Sequence, residues 1–335
     1  MIGVLEMEDL YLGWIEQLRK GLEQWGSVKV PGKYRLVFIA GMGGSGIVGD
    51  YVAALSNVKG SIPVLVSKSH LVPNFLSRDD LVFIVSYSGN TLETRIAYEK
   101  IAEKKSRIVI VSSNGLLESI ATENNLPFIP IVKGIAPRTA LPHMLYAILG
   151  VLDSSGYSIV SRDEAVDAYE NLKNNMKEAV DKAYELSSFI DEHKGLPILA
   201  THTPFEALVV RGKNEFNENS KIPVKVEVAP EWMHNDIVGW EKPFENKYSA
   251  IIIRDPSDDV GSKLVDFMKK IYINNNIPIY ELELHGKTFL EKLLYGSLVL
   301  GLASVKLARI RGVDPLVTEN ITLYKKDAPK IFGRS

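Results

Sequence analysis

Residues 35–50 read Arg-Leu-Val-Phe-Ile-Ala-Gly-Met-Gly-Gly-Ser-Gly-Ile-Val-Gly-Asp. A short apolar run ends in four glycines within the six positions 41–46, and apolar residues resume at Ile47 and Val48. This pattern predicts a buried strand, a tight turn and a helix. Glycines let the backbone approach an anion closely, and the helix that follows offers free N–H groups and a positive dipole end. Ser45 adds a hydroxyl. A simple strand-to-helix turn needs fewer glycines, so an anion-binding loop is the preferred reading.

Working outward, apolar runs recur at 62–66, 81–85 and 108–111, with a weaker one at 127–131. Helical patterns at 46–55, 91–104 and 116–123 separate them. Strands apolar on both faces and alternating with helices imply an α/β fold with a doubly wound parallel sheet. Upstream, Leu10, Trp14, Leu18, Leu22 and Trp25 predict one amphipathic helix over 8–25. An apolar helix over 142–153 closes this half, and Ser154-Ser155-Gly156 marks a boundary. The second half repeats the rhythm. A long helix at 162–192 leads to strands at 196–200, 224–227, 249–254 and 277–284 and helices at 204–214, 262–273, 288–311 and 314–326. The expected domains are 1–153 and 154–335, related by an internal duplication.

A length of 335 residues fits about two domains. Hydrophobic residues at 46% and charged residues at 24% describe an ordinary globular protein. A net charge of −2 gives no basic footprint, so no nucleic-acid partner is expected. The absence of cysteine excludes disulfides, thiolate catalysis and Cys-ligated zinc. The start of the chain has no basic segment of the secretory type. No uninterrupted apolar run approaches 18 residues, so neither a membrane span nor a membrane partner is expected. The expected compartment is the cytoplasm.

Gly41, Gly43 and Gly46 also match the dinucleotide fingerprint G-x-G-x-x-G. That fingerprint requires an acid about 20 residues on. Here the second strand ends Val66-Ser67-Lys68-Ser69, so a nicotinamide cofactor is not expected. The third strand ends in Ser86-Tyr87-Ser88-Gly89-Asn90-Thr91, and the fourth in Ser112-Ser113-Asn114-Gly115. Capping a helix needs one such residue, not several. Two neighbouring anion-friendly loops fit a single phosphate held between them.

Gly43-Gly44-Ser45-Gly46 with Ser86-Tyr87-Ser88-Gly89-Asn90-Thr91 resembles the sugar-isomerase (SIS) domain, which binds phosphosugars. Ala136-Pro137-Arg138, the stretch 217–223 (Asn-Glu-Asn-Ser-Lys-Ile-Pro) and the stretch 230–236 (Pro-Glu-Trp-Met-His-Asn-Asp) narrow the resemblance. Over nearly the whole chain it is similar to the bifunctional phosphoglucose/phosphomannose isomerases of archaea and some bacteria. The resemblance implies two SIS-type subdomains of flavodoxin-like winding. It implies hexose 6-phosphate substrates held by Gly44, Ser45, Ser86, Ser88 and Thr91.

Moving a carbonyl between C1 and C2 of a phosphosugar requires an anchored phosphate, ring opening, a base, and neutralisation of the enediolate. Glu218 is the candidate base, with Glu215 its competitor in the same polar stretch; the resemblance selects Glu218. His234 is the ring-opening candidate, since imidazole both gives and takes protons near neutrality. His202 is its rival, and the resemblance selects His234, implying a homodimer in which this histidine reaches the site from the other subunit. An arginine suits an enediolate or sugar oxygens, and the resemblance places Arg138 beside the reacting carbons. Thr318 and Lys325 lie seven residues apart in the expected last helix, and so on one side of it. The resemblance gives Thr318 a part in admitting mannose epimers, and Lys325 could assist the base or ring opening; Lys326 is adjacent. No metal-ligand spacing and no cofactor motif stand out. A non-catalytic phosphosugar-binding regulator is the alternative, but no DNA-binding helix-turn-helix precedes Val30. A self-contained glucosamine-phosphate synthase would need a nucleophilic cysteine.

Overall fold

Each apolar run of the first half becomes a parallel strand. These are β1 Val37–Gly41, β2 Val64–Ser67, β3 Leu81–Val85, β4 Arg107–Ser112 and β5 Phe128–Pro130, in the order β2-β1-β3-β4-β5. The structure, a computed structural model, describes residues 2–60, 62–243 and 247–334. The chain divides into two compact units. The first comprises Gly13–Tyr169 and Thr318–Ser335, the second Met1–Leu12 and Glu170–Val317.

In the first unit every residue of β1 and β3 is buried, as strands covered on both faces must be. On one face Phe38, Ala40, Val82, Ile84 and Ile110 pack with Ala97 and Ile101 of α4 Leu92–Glu103 and with Leu117 of α5 Leu116–Glu123. α2 Trp14–Glu23, α3 Gly43–Lys59 and α6 Leu141–Ser154 pack together, and α3 also packs on β1 and β2. Inside α6, His143 accepts from the Val132 amide on Nδ1 (3.1 Å), and its Nε2 lies 2.9 Å from Gln24 Oε1. That arrangement suits a neutral ring. Burial, with the Lys20 ammonium a smaller cause, pushes its pKa down to about 4. An unfolded histidine titrates near 6.5, so between about pH 6.5 and 4 the unfolded chain takes up the proton first. Stability is therefore expected to fall through that window as pH drops, by on the order of 3 kcal/mol from this residue. In urea unfolding at pH 7 and pH 4.5, His143→Gln should show a shallower fall than wild type; equal falls would contradict this.

The second unit holds β6 Leu196–His202, β7 Lys225–Ala229, β8 Tyr248–Arg254 and β9 Ile279–Glu283, all parallel, in the order β7-β6-β8-β9. This repeats the winding of the first sheet with one strand fewer, as expected for a duplicated α/β fold of flavodoxin-like order. Its helices include α1 Ile2–Leu12, α8 Met176–His193, α9 Glu206–Glu215, α10 Asp259–Asn274 and α11 Phe289–Arg311. α11 is long and apolar enough to cross a membrane, but 83% of its apolar stretch is buried, where it packs on α8, α9 and α1.

Three expectations are corrected. The helix expected over 8–25 is two helices, α1 and α2, which break at Gly13, the residue least costly to take out of a helix. The helix expected over 162–192 is α7 Arg162–Asn174 followed by α8. At the junction Asn175 turns its amide onto the Asn171 carbonyl (2.8 Å), in competition with the backbone. The last helix, α12 Glu319–Ile331, begins five residues late, because the Leu316 amide bonds the Asp314 carboxylate (2.8 Å) in a turn instead. The compact units also differ from a division at 153/154 in owning opposite terminal segments. α12 is held in the first unit by a Tyr324 hydroxyl that donates to Glu93, and by Phe332 edge-on to His70 at 5.0 Å. α1 is held in the second by Lys306 bonding Glu8 at 2.9 Å.

Candidate active site

At the carboxyl ends of β1 and β3, two loops of the first unit meet through side chains that the sequence singled out. Ser45 Oγ accepts from the Tyr87 amide at 3.0 Å, tying the first loop to the second. Ser86 Oγ donates to Thr91 Oγ1 at 3.0 Å, and Ser88 Oγ accepts from the Asn90 amide at 3.3 Å. Thr91 occupies the N-cap position of α4, yet its side chain caps nothing; α3, which starts after Met42, has no side-chain cap either. Both helices thus present amide ends toward the loops, the arrangement that favours an anion. The second unit treats the corresponding positions differently. β6 runs into Thr203-Pro204 without glycine, and α10 after β8 is capped by the Asp258 carboxylate on the Val260 and Gly261 amides (3.0 and 2.9 Å). An acid on a helix N-terminus repels a phosphate.

Arg138 lies in a 3₁₀ turn, Pro137–Ala140, and is buried, not exposed at a helix end. A Cβ on Gly44 would lie 3.1 Å from both the Arg138 Cα and the Pro137 carbonyl, so glycine is what lets the β1 loop pack against this turn. Gly44, Ser45, Ser86, Ser88, Thr91 and Arg138 are thereby gathered in one region of one unit.

Glu218 belongs to the second unit. α9 runs into a π-helical turn, Phe216–Ser220, and Glu218 is half-buried between Asn217 and the fully buried Asn219. Glu215, the other acid of this stretch, is only 2% exposed, pairs with Arg211 at 2.6 Å and accepts from the Tyr11 hydroxyl. His234 is exposed, at the end of a 3₁₀ turn, Glu231–His234, anchored by the buried Trp232. Its rival His202 is fully buried. One ring nitrogen lies 2.8 Å from the Thr203 carbonyl, and the other accepts from the Asp255 amide at 3.4 Å. Among the described residues, no three His, Cys, Asp or Glu side chains gather as they would around a metal ion.

Two domain models match the chain: the SIS domain over residues 33–148, and the bacterial phospho-glucose isomerase C-terminal SIS domain over residues 179–327. A bifunctional phosphoglucose/phosphomannose isomerase of Aquifex aeolicus is 34% identical over 89% of this chain and 91% of its own. The chain belongs to that family. A second bifunctional phosphoglucose/phosphomannose isomerase, from Pyrobaculum calidifontis, is 33% identical over 94% of this chain and 98% of its own. Among solved structures, glucosamine-6-phosphate deaminase from Thermotoga maritima shares the fold (TM-score 0.69, 14% identity, 94% and 96% of the two chains).

Within this bifunctional isomerase family member, one of the last two candidates is placed otherwise than expected, and Lys325 lies in the last helix as expected. Thr318 is the N-cap residue of α12, not a residue inside it, and Lys325 is exposed in the helix one residue after Tyr324. The Tyr324 hydroxyl is pushed up to about 12 by the hydrogen bond it donates to Glu93. One residue escaped the sequence reading. Tyr87 joins four segments: its amide donates to Ser45, its carbonyl accepts from Ser113 Oγ (2.6 Å), and its hydroxyl accepts from the Ile135 amide (3.0 Å), three residues before Arg138. A large aromatic between two loop serines was its only signal.

Proposed function

We propose that the chain interconverts glucose 6-phosphate and mannose 6-phosphate with fructose 6-phosphate through a cis-enediol. The observation that carries the reading is the pair of glycine- and hydroxyl-lined loops after β1 and β3, opening onto two helix N-termini without side-chain caps. In this reading the phosphate rests on Ser45, Ser86, Ser88 and Thr91, with the Gly44 backbone close by. His234 moves the proton between the ring oxygen and the anomeric hydroxyl, which opens the ring. Glu218 takes the proton from C2 of the aldose and returns it to C1, while the O2 hydroxyl proton passes to O1, so the carbonyl moves from C1 to C2 and the carboxylate is regenerated. The Arg138 guanidinium faces the negative charge of the enediolate. Acting on both epimers with one base requires rotation about C2–C3 in the intermediate, and Thr318 sets the room for it, while Lys325 assists proton transfer. The assembly is a homodimer in which His234 is supplied across the interface, and the compartment is the cytoplasm.

The test is incubation of the purified protein with fructose 6-phosphate after chelator treatment, with the hexose phosphates separated. Glucose 6-phosphate and mannose 6-phosphate should both appear. Glucose 6-phosphate alone would remove the role given to Thr318. Bound fructose 6-phosphate without product would favour a phosphosugar-binding regulator.

A further inference from the structure

Glu218 rides on a π-helical turn, and beside the buried Phe216 a set of polar groups is buried around that turn. Arg211 and Glu215 form an ion pair at 2.6 Å with 2% exposure each, and the Tyr11 hydroxyl donates to the same carboxylate. The Asn219 amide nitrogen faces three acceptors: the Tyr11 hydroxyl and Glu215 Oε2 at 3.2 Å, and Ser304 Oγ at 2.8 Å. Ser220 Oγ donates to the Ser304 carbonyl at 2.7 Å, and Arg311 Nε donates to the Ser220 carbonyl at 3.0 Å. The turn closes at Lys221, in the left-handed region with φ 59°, whose ammonium donates to the Glu218 carbonyl at 2.5 Å. The turn is therefore pinned at 215, 219, 220 and 221, on both sides of Glu218.

A buried ion pair adds little net stability, because desolvating both charges offsets their attraction. Apolar side chains of the same volume would pack α1, α9 and α11 together as well. What the polar set adds is a single arrangement of directional bonds. π-Turns are themselves rare and occur frequently at functional sites. We propose that Tyr11, Glu215, Asn219 and Ser304 are positioning residues for Glu218, with α1 reaching the turn from 204 positions away in the sequence. They touch no substrate and fix where the carboxylate stands. The inference rests on Glu218 being the base.

Tyr11→Phe keeps the ring that packs against Gly301 and removes only the hydroxyl. A misplacement of about 1 Å costs about a hundredfold in rate. Turnover should thus fall by about ten- to a hundredfold, with KM within about threefold. Ser304→Ala, which deletes another Asn219 acceptor, should act in the same direction and serves should Tyr11→Phe fold poorly. Both variants are then combined with Glu218→Asp, whose shorter carboxylate is already displaced. A positioning role predicts that Tyr11→Phe costs far less in that background, whereas a purely structural role predicts the same factor in both. Equal factors, or unchanged kcat in both single variants, would overturn the proposal. Glu218→Gln in the same series separates the two readings. If it loses turnover while Tyr11→Phe and Ser304→Ala keep it, positioning alone fails. If it keeps turnover, the base lies elsewhere and the positioning role falls with it.

Discussion

Glu218→Gln should lower turnover by at least about a thousandfold while fructose 6-phosphate binds within about tenfold of wild type. Glutamine keeps the size and hydrogen-bonding shape of the side chain but cannot carry a proton. General acid–base catalysis contributes about 10²–10⁴ in rate, and here a single carboxylate would serve both halves of the C1–C2 transfer. Binding should survive because the hydroxyls proposed to hold the phosphate belong to the other unit. The measurements are kcat, equilibrium binding, and exchange of the C1 and C2 hydrogens with solvent, which should stop in the variant. A loss of binding as large as the loss of rate would make Glu218 a binding group. Glu215→Gln separates the neighbouring acids. It breaks a pair buried to 2% exposure, so it should lower the unfolding temperature, and its loss of turnover should stay within about the ten- to hundredfold expected of a positioning residue, with exchange of the C1 and C2 hydrogens retained.

What the sequence made legible was local. The strands of the first sheet stand within a few positions of where runs of Val, Ile and Phe place them, because burial on both faces leaves the chain no polar choice. The glycines and hydroxyls of 41–46 and 86–91 marked the two loops that the structure brings together at the ends of β1 and β3. What stayed hidden depends on partners far along the chain. Glu215 and Glu218 look alike in a polar stretch, and only Arg211 beneath and Tyr11 from the first helix decide which one is buried. Tyr87 reads as one aromatic among serines until Ser45, Ser113 and Ile135 arrive around it. The opposite ownership of α1 and α12 by the two units has no local signature either, since it rests on pairs such as Glu8 with Lys306 and Glu93 with Tyr324. Asp314-Pro315 looked like a helix start, and the aspartate makes a turn of its own.

Gly89→Ala is expected to damage the loop after β3 more than any serine change within it. Gly89 has φ +67°, where a side chain costs about 1 kcal/mol or more. The larger effect is contact. A Cβ there would stand 1.7 Å from the Asn114 carbonyl oxygen and 2.8 Å from its carbon. Both are backbone atoms, so no rotamer change relieves the clash; either the loop after β3 or the loop after β4 must move. The movement is transmitted at once, because the Gly89 amide bonds the Ser86 carbonyl (3.0 Å) and the Gly89 carbonyl accepts from Leu117 (3.1 Å). Ser86, Ser88 and Thr91 would then lose their common geometry. KM for fructose 6-phosphate should rise by about a hundredfold or more, and protection of the protein by inorganic phosphate in thermal unfolding should vanish. Gly43→Ala is the control. Its φ is also positive (+53°), but no atom lies within 4 Å of the added Cβ, so it bears the conformational cost without the clash. If Gly89→Ala were merely less stable, with an ordinary KM and intact phosphate protection, the loop after β3 would be a structural turn and the phosphate would have to sit elsewhere.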